Sequence, residues 1–187
     1  KMEISLAAKK KRLKELNTQL KGLQEQLVVA NKAAGIDENI SVKIGLNQAR
    51  FERVKVKGKK DKGIGKFLIE LAVTTKERDV LIPITIATGK KAVGFMYHIE
   101  GSAEGKVSTA EVKSRGENLT QVTLGTLLFA RIPAGKTASF RIQVEITGKI
   151  NHTYKIIINR INYKLSLTDS RYHQYLKPLV SDNVKFT

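Results

Sequence analysis

Beyond residue 35 the chain is written in alternation. Between Thr137 and Leu167, Phe140, Ile142, Val144 and Ile146 alternate with Arg141, Gln143, Glu145 and Thr147. After a break at Gly148–Thr153 the pattern resumes with Tyr154, Ile156 and Ile158. Successive side chains of a strand point to opposite faces, so period-2 apolar spacing rich in β-branched residues predicts strands with one buried face. The two runs read as consecutive strands of a hairpin, entered through the turn residues Ile132-Pro133-Ala134-Gly135-Lys136. Parity changes near Asn159-Arg160, from Ile158 to Ile161, Tyr163, Leu165 and Leu167. Such a slip predicts a bulge or a strand passing between sheets.

The same alternation recurs upstream. Ile40, Val42, Ile44 and Leu46 form one run, Phe51–Val56 a second, and Phe67, Ile69, Leu71 and Val73 a third. Val80, Ile82, Ile84 and Ile86 follow, with Pro83 on the other parity, which argues for an edge position or a bulge. Then come Val93, Phe95, Tyr97 and Ile99, a weaker strand around Val107–Val112, and a long strand Leu119–Ile132 bent at Gly125. Eight or nine short strands predict a mainly β domain over residues 36–167. The expected architecture is a two-sheet antiparallel β-sandwich, immunoglobulin-like or jelly-roll-like. Residues 168–187 read as a C-terminal tail.

Residues 1–35 follow a different period. Leu13, Leu16, Leu20, Leu23 and Leu27 step by three and four, continuing to Ala30 and Ala34. That is a heptad seam on an amphipathic helix, and Gly35 is a plausible residue to end it. A stripe two positions wide in seven suits packing against another helix; lying along its own domain is the alternative. The seam is read as an assembly element.

Charge is the departure from an ordinary domain. Lys and Arg number 34 against 17 Asp and Glu, a net +17. Lys9, Lys10, Lys11 and Arg12 precede the seam, Lys57, Lys59 and Lys60 crowd a Gly-rich loop, and Arg171 sits among Tyr172, His173 and Tyr175. These are the candidate contacts for nucleic acid or another polyanion. Most of the charge is Lys, which reads bases less well than Arg, and aromatic residues are only 6% with no Trp. A solvated surface explains much of it.

No reaction can be read from the chain. Without Cys there is neither a thiolate nucleophile nor a Cys-bearing zinc site. His98, His152 and His173 are scattered, and no phosphate-cradling or nucleophile-elbow motif is present. Glu77 and Asp79 are a weak option for a cation, and no cofactor is expected. No apolar run approaches the ~20 residues that span a bilayer. A start at Lys1-Met2 suggests that residues upstream were removed, any targeting signal with them.

The run Ile132-Pro-Ala-Gly-Lys-Thr-Ala-Ser-Phe-Arg-Ile-Gln-Val, with Tyr154-x-Ile-x-Ile, Ile161-x-Tyr163 and Asp79-Val-Leu-Ile-Pro, resembles the closing strands of immunoglobulin-like β-sandwich modules of bacterial cell-surface and filament proteins. The likeness covers roughly residues 64–165. It implies an extracellular or surface location, adhesion or scaffolding, a homo-oligomer or filament, and no catalytic residues. Two segments, Asn39–Leu46 and the tail around Val180–Phe186, are candidates to donate a strand to a neighbour.

Overall fold

Lys, Gln, Glu, Leu and Ala dominate the N-terminal segment, and these side chains lose little rotamer freedom in a helix. They form α1, Leu6–Ala33. A computed structural model describes residues 6–33, 39–55, 62–84 and 94–187. Ala34, Gly35, Val56, Ile86 and Val93, given places by the pattern, lie outside the described residues. The chain separates into two compact units, Lys1–Asp37 and Glu38–Thr187.

The second unit is mainly β. Its strands are β1 (Ile40–Val54), β2 (Lys62–Thr75), β3 (Val80–Pro83), β4 (Phe95–Gly101), β5 (Lys106–Arg115), β6 (Thr120–Leu124), β7 (Leu127–Ile132), β8 (Thr137–Gly148), β9 (Thr153–Tyr163), β10 (His173–Tyr175), β11 (Leu179–Val180) and β12 (Val184–Lys185). Hydrogen bonding sorts them into three antiparallel sheets where the sequence predicted two. The first runs β1-β2-β8-β5, the second is built on β9, and the third runs β3-β7-β6. The third joins the second at one point, where Leu81 and Lys164 exchange both backbone hydrogen bonds at 2.8 and 2.9 Å.

The alternating aliphatics point inward. Phe67, Ile69, Leu71 and Val73 of β2 lie beside Val144, Ile142, Phe140 and Ala138 of β8, all buried. Phe140 meets Phe95 of β4 with ring centroids 5.2 Å apart. Buried residues of all three sheets belong to one hydrophobic cluster. Removing that apolar area from water is what holds the unit together.

Four predicted details change. β8 and β9 are not a hairpin: β8 pairs with β2 and β5, and β9 pairs with β4 and the C-terminal strands. Both edges of β8 are already filled, so the chain crosses to the other sheet through residues 149–152, with Asn151 at φ 65 and Lys149 N–H donating to Tyr154 Oη at 2.8 Å. The stretch 119–132 is not one bent strand. Gly125, at φ 61, and Thr126 close a two-residue hairpin turn, with Leu124 opposite Leu127. Residues 40–54 are one strand, and a register shift at Gly45 sets Leu46 opposite Glu70, off the face that Ile40 and Val42 share. Residues 173–185 of the predicted tail carry strands. They run antiparallel along the whole of β9 as three short strands.

Two predicted irregularities lie where the pattern put them. Met96 faces Arg160 and Tyr97 faces Ile158, so Asn159 is the extra residue of a bulge in β9. Pro83 ends β3, which lies at an edge of the third sheet.

Candidate functional site

Heptad spacing places Leu13, Leu16, Leu20 and Leu23 on one stripe of α1, and their exposures are 60, 45, 55 and 63%. Leu27 lies on the same helix, but its side chain is outside the described residues. Lys9, Lys10, Lys11 and Arg12 are exposed on the turns preceding the stripe. Arg12 reaches Glu15 at 3.6 Å, an exposed i,i+3 pair that leaves the basic character of the turn intact. The stripe and the basic turn are thus both exposed along the helix.

Of the other candidate polyanion contacts, Arg171 is the one among the described residues. Lys57, Lys59 and Lys60 lie outside the described residues. Arg171 is exposed, but the rings after it turn toward their own domain. His173 stacks on Tyr163 at 5.5 Å, Tyr175 packs against the core, and Lys164 Nζ sits 5.1 Å from the centre of the Tyr172 ring. Burial pushes the Tyr172 hydroxyl above its ordinary pKa. These aromatics latch the C-terminal segment down and offer no open stacking platform.

The Asp79 carboxylate is committed to structure. Asp79 accepts hydrogen bonds from Arg131 Nε and Nη2, at 2.9 and 2.6 Å, and from the Ala134 N–H at 3.0 Å. Arg131 first, then that backbone donor, holds its carboxyl below the usual carboxylate range. Its Oδ1 anchors the Pro133–Lys136 turn and its Oδ2 holds Arg131. No cluster of three or more metal-ligating side chains occurs among the described residues.

One Ser–His contact escaped the sequence reading. Ser102 Oγ lies 3.0 Å from His152 Nδ1 and accepts the Thr153 N–H at 3.1 Å. The group ties the end of β4 to the start of β9, beside the Ser102 N–H bond to the Thr153 carbonyl. It closes a turn.

A groove of about 740 Å³ crosses the outward face of the first sheet, lined by Gln48, Arg50, Lys66, Leu68, Glu111 and Gln143 among others. Alternation puts these residues on that face, yet nothing in the sequence marks them as a set. Lys66 pairs with Glu52 and Glu145, and the first of these contacts holds the Glu52 carboxyl below its ordinary range. Beside the groove Arg141 donates to Glu70 at 3.1 and 3.3 Å. Charges that satisfy one another describe a solvated sheet face.

Both candidate donor strands are used within the chain. Residues 40–46 pair with β2, and residues 179–185 pair with β9. Comparison with known protein families, curated proteins and solved structures returns no match. No helix among the described residues is long and apolar enough to cross a membrane.

Proposed function

We propose that the protein is a structural subunit that self-associates, acting by contact and not by turnover. The observation that carries this is the exposed leucine stripe of α1. Burying one leucine side chain contributes roughly 1.5–3 kcal/mol. Leu13, Leu16, Leu20 and Leu23, between 45 and 63% exposed, hold much of that gain in reserve for a neighbouring helix. In this reading α1 is the assembly element and the β unit is the module it carries, a two-layered sandwich of the immunoglobulin-like or jelly-roll-like kind in a surface or filament assembly.

Sheet edges are the lesser route. β1 and β5 are the edges of the first sheet, and each carries a register shift, at Gly45 and at Ser108. Edge bulges discourage pairing with another chain. Sedimentation at micromolar concentration tests the reading, comparing the intact chain with a Leu16→Lys/Leu23→Lys variant. The intact chain is expected to be oligomeric and the variant monomeric, with unchanged β-sheet signal. A monomeric intact chain would count heavily against it.

Net charge supports a second reading, a basic packaging protein that coats nucleic acid. The exposed Lys9–Arg12 turn favours it. Affinity for a random duplex is then expected to fall steeply as salt rises. Absence of binding at low salt eliminates it.

A further inference from the structure

We infer that α1 pairs with a second copy of itself in antiparallel orientation; the inference rests on self-association through the leucine stripe and adds its geometry. With Leu13, Leu20 and Leu27 at position a of the heptad and Leu16 and Leu23 at d, the flanking e and g positions can be read off the chain. Along the leucine zone they are Asn17, Gln19, Gln24, Gln26 and Asn31, all uncharged amides. Charge pairs at these positions normally dictate which helix binds which, and in which direction. Their absence along this zone leaves the helix free to accept its own sequence. Direction must then be set elsewhere.

It is set at the basic end. Lys9 falls on a d position, with Lys10 at e and Arg12 at g. A parallel pair would bring Lys9 against Lys9 within the seam, ringed by Lys10 and Arg12 of both copies. Like charges so placed repel, and Lys9 could bury no apolar tip there. Turning one helix round removes the conflict. With positions that sum to 43 facing each other, Leu16 comes level with Leu27 of the second copy and Leu20 with its Leu23. All the basic turns then lie outside the leucine layers, at opposite ends. Residue 10 of one copy is level with residue 33 of the other, so the two clusters are about 35 Å apart at 1.5 Å per residue. Screening at physiological salt acts over about 8 Å, so the clusters no longer sense each other.

The absence of cysteine makes the test direct. In the antiparallel pair Gln19 faces Gln26 of the other copy across the g positions; in a parallel pair Gln19 faces Gln24. Full-length Gln19→Cys chains are mixed with Gln26→Cys chains, and separately with Gln24→Cys chains, in a glutathione redox buffer. The expected result is a disulfide between positions 19 and 26 at least about tenfold above the one between positions 19 and 24, since a disulfide needs Cα atoms within roughly 7 Å. Association of the intact chain is expected to change less than about twofold between physiological and high salt, where screening acts within about 8 Å. A dominant cross-link between positions 19 and 24, or association that strengthens about tenfold from physiological to high salt, overturns the antiparallel geometry and leaves self-association standing. A monomer in sedimentation with no cross-link in either mixture overturns both.

Discussion

Phe186 lies against Tyr154 with ring centroids 4.6 Å apart and planes tilted by 51°. Its other side meets Phe51 at 5.0 Å. Phe186 is fully buried, its N–H donates to the His152 carbonyl at 2.9 Å, and its carbonyl accepts the Asn151 N–H at 2.6 Å. The C-terminal segment is thus pinned to the loop that carries the chain from β8 to β9. Truncating Phe186 to Ala should cost about 3–5 kcal/mol, the range for a buried phenylalanine. Urea unfolding monitored by circular dichroism measures it. A loss below about 1 kcal/mol would mean that the segment is not part of the core.

Space for that ring is provided by glycines. A Cβ built on Gly65 would stand 2.8 Å from two Phe186 ring atoms and 3.2 Å from Ile146. Gly65→Ala is therefore expected to destabilise by about 1–3 kcal/mol through overpacking. The cause can be separated from any backbone effect. Combined with Phe186→Leu, the Gly65→Ala cost should shrink by at least half, because neighbours that share a cavity are not additive. Equal costs in both backgrounds would refute the contact.

Asp79 gives a pH signature. Its carboxyl is held below its ordinary value by Arg131 and by the Ala134 N–H. A depressed folded-state pKa contributes stability that is full above the unfolded value near 4 and is lost as pH falls through the folded value. The pair is substantially exposed, so Asp79→Asn should cost no more than about 1 kcal/mol at neutral pH. The gap between the two proteins should close as pH falls below about 4. Denaturant midpoints at pH 7 and in acid check this, and a gap that widens in acid would sink it.

The inward faces of β2 and β8 were legible because period 2 is a local property of the chain. Pairing is not local, which is why β8 and β9 looked like a hairpin and belong to different sheets. Nothing in the alternation of Tyr154, Ile156 and Ile158 tells which strand will lie beside them. Gly125 was visible as a break, but only its φ of 61 distinguishes a reversal from a bend. The C-terminal segment was visible as a candidate strand, but its place along β9 was not, for a different reason. Leu179, Val184 and Phe186 are too sparse to make a pattern, and the cradle that explains Phe186 comes from Gly63, Gly65 and Gly148 on other strands. The leucine stripe was legible because heptads are local, and its exposure required coordinates.

Gly22 offers the cleanest separation of helix from assembly. It lies inside α1, and a Cβ built on it meets nothing within 4 Å. In the heptad it falls at c, away from the stripe, so Ala adds no seam contact. Glycine in a helix interior is about 0.5–1 kcal/mol worse than alanine. Gly22→Ala should therefore strengthen helix formation by about that amount and leave the unfolding of the β unit unchanged. If helix formation is coupled to pairing, each copy contributes the gain once, and dimer dissociation should fall about fivefold to thirtyfold. Leu20→Ala should act in the opposite sense, weakening association while leaving the β unit untouched. Sedimentation over a concentration series, read beside thermal unfolding of the sheets, measures both. Gly22→Ala raising helicity with no change in association would show that α1 folds without pairing.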